Sequence, residues 1–133
     1  QRTYEVTEVN EMLQGMERFA GIFVCTTNLM DRIDQAALRR FAFKIRFKPL
    51  TGVQRERMFV TEALAGEASA LTDEARARLA KLDQLCPGDF AAVKRQVEIL
   101  AVQLPPEEFL EQLEAEHRIK PEVREQRSIG FVQ

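Results

Sequence analysis

Histidine is nearly absent from this chain of 133 residues: His117 is the only one. The two cysteines, Cys25 and Cys86, share no C-x-x-C spacing. Without clustered histidines or paired cysteines a zinc site is excluded, and two free thiols in a reducing, cytoplasmic setting are expected. No apolar run is long enough to span a bilayer, and the N-terminus lacks the pattern of a signal peptide. The formal charge is only −2, so no global excess points to nucleic acid or to an acidic membrane. Internal repeats and low-complexity tracts are also missing. What is present is an ordinary globular composition, 45% hydrophobic and 30% charged, sufficient for one modest domain or two small ones.

Charge is nevertheless uneven. Between Arg32 and Arg57 eight basic residues (Arg32, Arg39, Arg40, Lys44, Arg46, Lys48, Arg55 and Arg57) face two acids, Asp34 and Glu56. The first eighteen residues and the stretch from Pro105 to Glu116 are acidic. Such asymmetry suits surfaces made for partners or for an anionic ligand.

Helical periodicity opens the chain. Val6, Val9, Met12, Leu13 and Met16 fall on one stripe of residues 5–17, which predicts an amphipathic helix. Ile22, Phe23, Val24 and Cys25 follow without alternation, as in a strand covered on both faces. Asp34 is placed to cap a short helix, "DQAALRR". Phe41, Phe43, Ile45 and Phe47 then alternate with Ala42, Lys44, Arg46 and Lys48, a period of two that predicts an edge strand with one buried and one basic face. A helix, a central strand and an edge strand imply an α/β layer in residues 1–49.

Beyond Pro49 the expected structure is wholly helical. Thr51 caps one helix, with Val53, Met58, Phe59 and Leu64 inward, and Thr72 caps a second, with acids in its first turn. A third starts at Cys86, with Pro87 at its first position and Asp89 where a capping box puts its acid. The fourth, "PPEEFLEQLEAEHRIK", turns Phe109, Leu110 and Leu113 inward. These four helices read as a small bundle over residues 50–120. Residues 121–133 read as a polar tail with an apolar patch, "IGFV", near its end.

The chemistry concentrates in "FVCTTNLMDRIDQAALRRF", residues 23–41. Ligands of open parallel sheets bind beyond the carboxyl ends of strands, where Thr26, Thr27 and Asn28 would lie. An asparagine there can orient a water or a phosphate oxygen without adding charge; it can equally begin a loop as an Asx-turn. Arg39 and Arg40 have no carboxylate in the next four residues. An arginine at a subunit surface can stabilise charge developing on a neighbour's phosphoryl group, a role worth roughly 10³–10⁵ in rate in GTPases.

The run "GIFVCTTNLMDRIDQAALRRFAFKIRF" resembles the second region of homology of the AAA+ ATPases (ATPases associated with diverse cellular activities). The helix before it and "LCPGDFAAVKRQ", which resembles the start of the family's lid helix, extend the likeness over most of residues 4–103. The resemblance implies that Asn28 is sensor 1, which polarises the attacking water. It implies arginine fingers in the segment of Asp34, Ala37, Arg39 and Arg40, with Arg40 the first candidate and Arg39 the second. Gly88 and Asp89 would lie near the nucleotide at the start of the lid helix. Two departures stand out: the arginines are adjacent, without an intervening Pro-Gly, and Gly88 and Asp89 stand where many lids carry a sensor 2 arginine, so that either the chain has none or Arg95 serves from further along the helix.

No GxxxxGK[ST] loop occurs, since no glycine has a second one five positions on, and no apolar strand ends in Asp-Glu. The resemblance therefore implies the C-terminal part of a larger ATPase, an α/β fragment followed by an all-α lid. The parent would use ATP and Mg²⁺ and assemble from identical subunits in a ring, a hexamer by likeness, without a membrane. This piece alone would hold neither ligand and would be inactive. The alternative is a non-catalytic interaction or scaffold module. A nucleic-acid face along residues 32–57 is disfavoured, because its phenylalanines fall on the buried parity of their strand.

Overall fold

A computed structural model describes residues 2–130, with the backbone alone at 2–7, 9, 10 and 127–130. Among the described residues seven α-helices follow one another: α1 (Arg2–Glu17), α2 (Gln35–Leu38), α3 (Gly52–Ala63), α4 (Asp73–Ala80), α5 (Pro87–Leu100), α6 (Pro106–Arg118) and α7 (Pro121–Gly130). Short 3₁₀ turns occupy Met30–Arg32 and Ala68–Ala70. None of the helices among the described residues is long and apolar enough to cross a membrane. The chain divides into two compact units, Gln1–Arg46 and Phe47–Gln133.

The second unit is built from caps and one apolar core. Thr51 Oγ1 accepts from the Gln54 N–H (3.3 Å) and the Gln54 side chain accepts from the Thr51 N–H (2.9 Å), so two orphan donors of α3 are satisfied reciprocally. Thr72 caps α4 through the Ala75 N–H at 3.1 Å. At α5 Pro87 takes the first position, and Asp89 accepts from the Cys86 N–H at 2.8 Å. Ala65 and Ala101, with φ near 51°, close α3 and α5 in the left-handed region that glycine usually fills.

Inside lie Phe59, Leu79, Leu82, Leu85, Phe90, Val93, Phe109, Leu110 and Leu113. Phe109 is the hub, with its ring 6.1 Å from Phe59 edge-on and 6.3 Å from Phe90. Met58 and Leu64 pack against this core half-buried. Val53, expected inside, is 69% exposed. Its place on the inner side of α3 belongs to Arg55, which is 7% exposed. The expected polar tail after Pro121 is helix α7, which buries Val123. The apolar patch Ile129–Val132 lies outside the residues whose side chains are described.

In the first unit Leu13 of α1 and Ala37 of α2 are buried. The stripe positions Val6 and Val9 lie outside the described side chains. The expected strands are absent among the described residues, which contain no sheet. Residues 22–25 and 41–48 are irregular and make no ladder bonds. Phe41 is half-buried, but most of their apolar residues are exposed: Ile22 by 90%, Val24 by 79%, Phe43 by 86% and Phe47 by 91%. The α/β expectation is therefore corrected to an all-helical fold. The reason is physical. A helix satisfies its backbone within its own segment, whereas a strand exists only through a partner's N–H and C=O groups.

Candidate functional site

Asn28 sits in a bend between two fixed points. Before it, Thr27 Oγ1 accepts from the Leu29 N–H at 2.9 Å, a hydroxyl-closed turn of the kind serine and threonine favour. After it comes the 3₁₀ turn Met30–Arg32. The Asn28 side chain is exposed and makes no hydrogen bond among the described residues. Its amide is thus free to orient a polar group from outside, and the Asx-turn reading has no bond to support it.

Asp34 caps α2 as the sequence requires, with Oδ1 accepting from the Ala36 N–H at 3.2 Å. The helix lasts a single turn, and burial of Ala37 fixes which way that turn faces. Arg39 and Arg40 follow at its end, both exposed. They differ in their partners. Arg40 Nε meets Glu17 Oε1 of α1 at 3.3 Å, whereas Arg39 has no carboxylate partner among the described residues. Both side chains of the Arg40–Glu17 pair are solvent-exposed, by 39% and 56%, and such pairs contribute about 0–1 kcal/mol. A phosphate could therefore displace Glu17 from Arg40 at small cost, and reach Arg39 without displacing an acid. No hydrogen bond or ion pair links Asn28 to either arginine.

Gly88 and Asp89 lie in the second unit. Gly88 is exposed in open space. Asp89 is engaged: its Oδ2 accepts from the Cys86 N–H at 2.8 Å and from Lys120 Nζ at 2.6 Å. This carboxylate holds the start of α5 and has little left to offer a ligand. Nearby on the same helix, Lys94 Nζ bonds Glu62 of α3 at 2.8 Å, and that bond holds its ammonium above the ordinary lysine range. A hollow of about 380 Å³ is lined by Pro105, Glu107, Glu108, Glu111 and Gln112, acids that repel a polyphosphate. No group of histidine, cysteine and carboxylate side chains among the described residues is arranged to hold a metal ion.

Three side chains escaped the sequence reading. Arg55 was counted with the basic stretch, yet its Nη1 donates to the Leu79 and Ala80 carbonyls at 3.1 and 3.4 Å. The available signal was its spacing, four residues before Phe59, which places it on the apolar stripe of α3. His117 and Lys120 both bind the backbone of Gln84. Only the fold brings residues so distant in sequence together.

No protein-family model, no curated protein and no solved structure matches this chain. A functional reading therefore rests on its residues.

Proposed function

We propose that the chain is the C-terminal portion of an ATP-hydrolysing AAA+ ring ATPase, with the helices of residues 50–120 as its lid. In this reading Asn28 hydrogen-bonds the attacking water. Arg39 or Arg40 presents a guanidinium to the charge that develops on a phosphoryl group bound by the adjacent subunit. The nucleotide-gripping loop and the Mg²⁺-holding acids are assigned to other parts of the parent, since none of the residues here supplies them.

The observation that carries the proposal is the state of the three polar side chains. One short capped helix separates a free amide at Asn28 from the unpaired, exposed Arg39 and the loosely held Arg40. A cation that acts on a neighbouring subunit has to be exposed and uncommitted, and a surface cation that merely supports its own fold is better placed beside an acid. The sequence favours Arg40, while the geometry leaves Arg39 the freer.

Steady-state hydrolysis and nucleotide affinity of the full-length parent test the reading, with Arg39→Ala, Arg40→Ala and the double variant. A fall of about 10³-fold or more in the double variant, with affinity retained, is expected. Unchanged hydrolysis in all three overturns it. That outcome would favour a non-catalytic interaction module, the reading supported by exposed Ile22, Val24, Phe43 and Ile45 in the first unit.

A further inference from the structure

Gln84 lies in the loop between α4 and α5, and two side chains from the α6–α7 corner hold its backbone. His117, in the last turn of α6, accepts at Nε2 from the Gln84 N–H at 3.2 Å. Lys120 donates from Nζ to the Gln84 carbonyl at 2.6 Å. The same ammonium meets Asp89, whose Oδ2 also receives the Cys86 N–H. The loop and the cap of α5 are thus fastened from one corner.

The bond at His117 dictates its tautomer. A ring nitrogen that accepts must carry a lone pair, so Nε2 is bare and the proton of the neutral ring sits on Nδ1. Yet Asp83 Oδ1 stands 3.4 Å from that same Nε2. A carboxylate gains nothing from a bare nitrogen; its hydrogen bond needs a proton there. The two partners are therefore alternatives. Neutral imidazole takes the Gln84 amide, and imidazolium takes Asp83 and leaves the amide facing another N–H.

We propose that His117 is a proton-operated catch on the α4–α5 loop, closed when neutral and released when charged. Two of the other charges nearby are already engaged. Lys120 from the corner is paired with Asp89 of α5, and Arg78 of α4 with Glu114, one turn back on α6. Arg118 follows His117 directly, and α7 brings Glu122 in its first turn. Asp83, from the loop itself, is the carboxylate within reach of the new N–H. His117 is buried and Gln84 half-buried, so a released Gln84 amide has to turn toward solvent to replace the lost bond. This device is independent of the nucleotide reading.

The test is nuclear magnetic resonance on the full chain, where a single histidine makes the ring signals unambiguous. At about pH 8 the ring should be the Nδ1–H tautomer, with the Gln84 amide protected from exchange. On lowering to about pH 5, the Gln84 protection factor should fall about tenfold while the Val93 and Leu110 amides hold. His117→Gln keeps an acceptor but cannot take the proton, and should make Gln84 protection independent of pH. An Nε2–H ring at high pH overturns the proposal. So does a Gln84 protection factor equal at both ends, or one that falls only together with the core. If His117→Gln does not fold, the wild-type tautomer and exchange decide alone.

Discussion

The Arg55 guanidinium donates to the Leu79 carbonyl across 3.1 Å, tying α3 to the last turn of α4. That carbonyl also accepts from the Leu82 N–H at 3.1 Å, and a cation at a helix C-terminus meets the negative end of the macrodipole. The arrangement is incomplete, since Arg55 Nε is buried without a hydrogen-bond partner. Arg55→Met keeps the aliphatic bulk and removes the guanidinium donor from the Leu79 and Ala80 carbonyls. The expected loss is about 1–3 kcal/mol in urea unfolding. Arg55→Lys should recover part of it, because an ammonium can still donate but cannot span the fork.

Phe109 should be the most costly single truncation in the second unit. Its ring touches those of both Phe59 and Phe90, so Phe109→Ala opens a cavity among three helices and should cost about 3–5 kcal/mol. Val53→Ala, by contrast, should stay within about 0.5 kcal/mol. Equal thermal shifts for the two variants would contradict the core described here.

The same contrast shows what the sequence could reveal. Thr51, Thr72, Pro87 and Asp89 announce helix starts because capping is local chemistry, complete within a few residues. Phe109, Leu110 and Leu113 announce the inner face of α6 because a helix repeats every 3.6 residues. The stretch Phe41–Lys48 has an equally clear period of two and yet forms no strand. Alternation states which face would be buried; it does not supply the partner that makes a strand. Asn28 and the arginines could be picked out by residue type. Their partners could not, because Glu17 reaches Arg40 only through the fold.

Lys94 offers a test of electrostatics by pH. Its hydrogen bond to Glu62 raises the pKa of the ammonium in the folded chain above the ordinary 10.5. A group whose pKa rises on folding stabilises fully below its unfolded value and loses that contribution as pH climbs through the folded one. The wild type should therefore be the more stable than Glu62→Gln at neutral pH, with the gap in melting temperature narrowing above about pH 10.5. Because the lysine is exposed, salt should narrow the gap too. A gap constant through the alkaline limb would mean that the pair contributes nothing.

Asn28 separates a structural role from a catalytic one more cleanly than either arginine. Its amide has no hydrogen-bond partner among the described residues, so Asn28→Ala should leave stability within about 0.5 kcal/mol. Thr27→Val, one residue earlier, removes the hydroxyl that receives the Leu29 N–H and should cost about 1 kcal/mol. Activity of the proposed parent ATPase should follow the opposite order. If Asn28 orients the attacking water as proposed, its loss is expected to lower kcat roughly 10²-fold or more with nucleotide affinity unchanged. Thr27→Val should act only as far as it lets the bend drift. A parent in which Thr27→Val is the more damaging to kcat would make this bend a structural joint, and the case for Asn28 as the water-orienting group would fall with it.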